Sequence, residues 1–122
     1  MENLIEKYKD KLPASYLEFI STSQRFYGYI GNEFGYVDLW EIDFLSQVFD
    51  VICKYHDNLG KDYFPIGSDG GGNNIVIKLT SPKKELFLIE SISTSDEYAI
   101  FFCDNFEKLF DSVMQYKLKN VK

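Results

Sequence analysis

Gly67 and Gly72 stand at the spacing of the two glycines in a phosphate-binding loop, inside the stretch FPIGSDGGGNNIVIKL, residues 64–79. Such a loop next needs Lys and then Ser or Thr, to reach the terminal phosphates and a magnesium ion. Asn73 and Asn74 occupy those places. Asp69 lies within the loop and would repel a phosphate, and the chain continues into a β-branched run instead of a helix whose amino end could hold an anion. The dinucleotide pattern G-x-G-x-x-G also fails, because Gly70 and Gly72 are followed by Ile75. A calcium loop would place oxygen-bearing side chains at alternate positions with a glycine among them. Here Asp69, Gly71 and Asn73 alternate, and Asn74 stands where that glycine should be. What fits is backbone geometry. Glycine supplies positive φ and admits a second backbone at close range, so the run predicts a tight turn or bulge at the edge of a sheet.

Other reactive side chains are sparse. The single histidine, His56, falls late in a helical pattern, where it favours the helix dipole, and it has no second histidine with which to share a metal. Ser68 in GSDGG comes one residue too early for a nucleophile elbow. Cys53 and Cys103 each sit in an apolar run and form no Cys-x-x-Cys pair, so buried, reduced thiols are expected. Nineteen acids would offer paired carboxylates in any fold. No catalytic residue, metal site or cofactor is expected, and the chain reads as a non-enzyme.

The elements around these residues follow from periodicity. Leu4, Ile5 and Tyr8 predict a short amphipathic helix, and LPASYLEFI a second, with Pro13 in its first position and Tyr16, Leu17 and Ile20 on one face. RFYGYIGNEFGYVDLW alternates aromatics with glycines and predicts two short strands around a turn near Gly31-Asn32. A long helix capped by Asp43 carries Phe44, Leu45, Val48, Phe49, Ile52 and Tyr55, with Gly60 as its expected stop. Three strands follow: one around Ile75–Leu79, LFLIES, and a buried YAIFFC, with ESISTSDE read as a loop. Asp104 and Glu107 have capping-box spacing at the start of a last helix with the stripe Phe106, Leu109, Phe110, Val113 and Met114. The expected fold is α+β: a central, mainly antiparallel twisted sheet of about five or six strands with about four helices around it, one domain over residues 1–122.

The net charge of −6 argues against nucleic acid or an anionic membrane as partner, because both demand a basic face. It suits a basic protein partner, because opposite fields speed encounter. The charge is uneven: no Lys or Arg occurs from Phe26 to Cys53, where Glu33, Asp38, Glu41, Asp43 and Asp50 fall. MENLIEKYKDKLP lacks the apolar core of a secretion signal and no run is long enough to span a bilayer, so the cytoplasm is the expected location.

Read together, LPASYLEFI, Leu39-Trp40, FPIGSDGGGNNIVIKL and the late NFEKLF, in that order and at these separations, resemble the SUKH superfamily, in particular its Smi/Knr-type domain. The resemblance covers nearly the whole chain, and PIGSDGGGN is its most specific part. Members often carry a paired-glycine element after the Leu-Pro helix, where this chain has SQRFYGYIG. The resemblance implies an immunity protein of a polymorphic toxin system, which neutralises a cognate toxin domain, often a nuclease or deaminase, by direct contact. The alternative it implies is a non-catalytic regulatory or scaffold module, as in fungal members. It carries over no catalytic residues. For a toxin with a basic surface, the acidic, aromatic segment is the expected contact: Tyr27, Tyr29 and Tyr36 as anchors, Glu33, Asp38 and Glu41 as steering charges. The loop bearing Asp69, Asn73 and Asn74 is a second candidate surface.

Overall fold

The structure, a computed structural model, describes residues 2–22, 25–31, 34–54, 61–90 and 99–119. In chain order the elements are α1 (Glu2–Tyr8), α2 (Ala14–Thr22), β1 (Phe26–Tyr29), β2 (Tyr36–Leu39), α3 (Ile42–Lys54), β3 (Tyr63–Ser68), β4 (Asn73–Lys78), β5 (Leu86–Glu90), β6 (Ile100–Cys103) and α4 (Phe106–Lys119). The six strands make one sheet in the order β1-β2-β3-β4-β5-β6, each antiparallel to the next. This is the α+β architecture the sequence predicts. His56, Tyr55, Gly60, Glu33 and most of ESISTSDE lie outside the described residues.

One strand was absent from the predicted set. Pro65 and Gly67 argue against a strand, since proline removes a ladder donor and glycine leaves a gap, yet β3 is central. The register shift between Pro65 and Gly67 resolves the conflict: a bulge places Ile66 outside the regular pairing and in the core.

Alternation sorts the sheet into two faces. The inner face carries Phe26, Val37, Leu39, Phe64, Ile75, Ile77 and Leu86, buried against residues of all four helices. Phe64 is the hub: its ring lies 4.9 Å from Tyr8 of α1, 6.0 Å from Tyr16 of α2 and 5.5 Å from Phe49 of α3. Phe106 of α4 meets Tyr16 edge-on at 5.2 Å, which joins the last helix to the same stack. The sheet also curls. Flat pairing would hold β2 and β6 about 19 Å apart, but Phe34, just before β2, packs 5.4 Å from Phe102 of β6.

Local details correct three expectations. The α4 cap is Asn105, whose side-chain oxygen accepts the Lys108 N–H at 2.8 Å. Asp104 lies one residue earlier and instead forms an ion pair with Lys108. At α3 the first helical bond runs from the Leu45 N–H to the Glu41 carbonyl, which puts Asp43 inside the first turn, where its charge meets the helix dipole. Within YAIFFC, which reads as buried, β6 is a sheet edge with Ile100 and Phe101 more than half exposed. A bulge against β5, between Leu86 and Phe87, breaks its alternation.

Two buried hydroxyls, those of Tyr16 and Ser46, have no hydrogen-bond partner among the described residues. Tyr16 is fully buried. Burial pushes its pKa far up. An unpaired buried hydroxyl costs about 1–3 kcal/mol. Tyr16→Phe keeps the ring stack and is expected to raise the unfolding free energy by about 1 kcal/mol, read from the urea midpoint at an unchanged slope.

Candidate binding surface

The glycine turn joins β3 to β4, and its hydrogen bonds close on themselves. The Asp69 carboxylate accepts the N–H groups of Gly71 (2.7 Å) and Asn73 (3.1 Å) through Oδ1. Its Oδ2 accepts the Asn73 side-chain amide at 2.9 Å. The Gly70 N–H donates to Ser68 Oγ. Gly70 and Gly72 adopt φ of 78° and 96°, the left-handed region that makes glycine the residue of choice. The Gly71 and Asn73 main-chain donors are thus spent on the protein's own carboxylate, and that of Gly70 on Ser68.

Burial pushes the Asp69 carboxyl upward, but the hydrogen bonds from Asn73 and Gly71 outweigh it and hold the group below its ordinary value. A depressed folded value means that the turn contributes its full stability above the unfolded carboxylate pKa of about 3.9 and loses it as pH falls through the folded value. Asp69→Ala is expected to cost about 1–2 kcal/mol at pH 7. The difference from the parent should close below about pH 4, measured by urea unfolding across the pH range.

The outer face of the sheet places most of the sequence-predicted residues together. Tyr27 pairs with Asp38 and Tyr29 with Tyr36, so these four side chains share one face of the first hairpin. Asp38 pairs onward with Ser68, and Ser68 with Asn74, on the same face. Tyr27, Tyr29 and Tyr36 are 62, 58 and 39 % exposed, whereas Asn74 is buried. Asn73 points the other way in the ladder and is spent on Asp69. The turn and the hairpin are one surface: a Cβ on Gly70 would lie 2.6 Å from Tyr36 Cδ1, so the Tyr36 ring rests on the glycine turn. Tyr29 leans elsewhere and lines a cleft of about 220 Å³ with Ser112, Gln115, Tyr116 and Lys119 of α4.

Sequence reasoning does not place Arg25 on this surface, and it assigns Phe44 to the apolar stripe of α3. The Arg25 guanidinium grips Asp38 with two bonds, Nε to Oδ1 at 2.9 Å and Nη2 to Oδ2 at 2.7 Å. Its centre lies 5.4 Å from the Tyr27 ring and 5.9 Å from Phe44. The hydrogen bond to Asp38 and its charge raise the Arg25 pKa, and Tyr27 and Tyr36 add to the same field. Asp38 is therefore a neutralised partner, not a free steering charge. The signal was available: Arg25, Tyr27 and Tyr29 alternate on one strand face, and the stretch without basic residues begins one position after Arg25. Glu41 is half-buried just before α3, and Asp43 is exposed in its first turn beside Phe44.

Thiol chemistry has little support. Burial, with Asp50 adding, pushes the Cys53 thiol up to about 11. Burial also raises Cys103, whose S–H donates to the Asn105 carbonyl at 3.2 Å. Among the described residues, no three His, Cys, Asp or Glu side chains are grouped so as to hold a metal ion. No helix among them is long and apolar enough to cross a membrane.

A curled antiparallel sheet with helices against its inner face and an aromatic, partly charged patch on the first hairpin's outer face defines an α+β fold. Residues 2–112 match the SMI1 / KNR4 family (SUKH-1), and the chain belongs to that family. No curated protein matches it.

Proposed function

We propose that this chain is an immunity protein: a single domain, acting in the cytoplasm, that binds a cognate toxin and blocks it by contact, without catalysis of its own. The observation that carries the reading is membership of the SMI1 / KNR4 family (SUKH-1) over residues 2–112. The outer face supports it. Inhibition by contact needs a complementary surface of about 800 Å² on each partner, and three exposed tyrosines on one hairpin supply rigid, amphipathic contact area. The net charge of −6 favours a toxin with a basic face, as a nuclease has. The test is co-expression with the toxin encoded by the neighbouring gene. Growth should be restored and the two proteins should co-purify; growth arrest undiminished by the chain would refute the reading.

A further inference from the structure

Resting on the reading above, we propose that the Arg25–Asp38 pair and the Tyr27, Tyr36 and Phe44 rings around it form the anchor of the toxin-docking surface. Asp43, Glu41 and the Asp69 turn form its acidic rim. The partner it fits is a protein surface with a basic rim and, at its centre, apolar groups and carbonyl oxygens.

The centre is built to be desolvated. Asp38 neutralises Arg25, and its own side chain is only 14 % exposed beneath the guanidinium. Two of the five guanidinium N–H groups are committed to Asp38, which leaves the Nη1 pair and one Nη2 hydrogen for a partner's acceptor. The fork also orders Arg25 in advance, so little side-chain entropy remains to be lost on docking. Exposed rings border it on both strands of the hairpin and on α3. Arginine and tyrosine in such a setting carry a disproportionate share of binding energy.

The rim is different. Among the described residues neither Glu41 nor Asp43 has an ion-pair partner, and Asp69 keeps its charge while bonded only to neutral N–H groups. Rim charges act on the rate of encounter, whereas a packed centre acts on dissociation. The two parts therefore separate kinetically.

The experiment measures association and dissociation rates of the full chain with the purified toxin domain from the neighbouring gene. Arg25→Ala and Tyr27→Ala should each speed dissociation about tenfold or more. Arg25→Lys, which keeps the charge and loses the fork, should weaken binding nearly as much as Arg25→Ala. Asp43→Lys should slow association with dissociation changed less than about twofold, and raising salt should do the same to the parent. Met114→Ala and Leu118→Ala, exposed on α4, should change neither rate. A complex that forms while the Arg25 and Tyr27 variants, melting as the parent does, dissociate at the parental rate would overturn this anchor and leave the immunity reading standing. A parent chain that binds no toxin at all would overturn both.

Discussion

Gly67→Ala should lower the unfolding free energy by about 3 kcal/mol and the melting temperature by about 12 °C for a chain of this size. The cause is not the glycine's own dihedrals. A Cβ at Gly67 would fall on the Asp38 carbonyl oxygen and lie 3.1 Å from its carbon and 3.2 Å from the Leu39 Cα, all of it backbone that cannot swing aside. The position also matters for topology. β2 joins β3 only through Asp38–Ser68 and Leu39–Gly67, extended by the Trp40 N–H to the Ile66 carbonyl. Forcing these strands apart would loosen the first hairpin from the sheet, and with it the tyrosine face. Gly71→Ala is the internal control. Gly71 has no positive φ, and an added methyl would meet only the Asp69 side chain at 3.6 Å. Its effect should stay within about 0.5 kcal/mol.

Phe64→Ala should cost about 4 kcal/mol, enough to consume much of the stability of a domain this size. Phe64 is fully buried, and its ring touches aromatic rings from three helices. Truncation removes the transfer energy of the ring and leaves a cavity bounded by stiff side chains on a sheet that cannot collapse inward. Phe101 provides the contrast. It sits on the exposed edge strand, 53 % accessible, and keeps one ring contact with Phe87. Phe101→Ala should cost less than about 1 kcal/mol. Equilibrium urea unfolding of the two variants compares them directly, and equal losses would show that the curled sheet does not enclose Phe64 as described.

The outcome of the sequence reading follows from which physical signals are local. Helical stripes are local, so α2, α3 and α4 were legible, and Leu45, Phe49, Phe106, Leu109 and Val113 are the residues they bury. The same stripes overreached at Phe44 and Met114, since periodicity marks a face but not how far the sheet extends beneath it. β3 was missed because its proline and glycine are excused by a bulge and by the close approach of β2, both of them non-local facts. The apolar run in β6 looked buried because composition cannot distinguish an edge strand from a central one. The candidate surface was half legible. Aromatic residues and glycines marked the segment, but the cross-strand partner that turns Asp38 from a steering charge into a clamp on Arg25 depends on register. Asp69 reads from sequence as a charge that would repel a phosphate; in the structure its carboxylate accepts the Gly71 and Asn73 amides of the turn.

Hydrogen exchange of the chain, alone and in complex with its toxin, bears most directly on the claim that it acts by contact through the outer face of its first hairpin. Exchange should slow in peptides covering residues 26–39 and 68–74 and stay unchanged across α4. Protection confined to α4 or to α1, with the hairpin and the glycine turn exchanging as in the free chain, would contradict it.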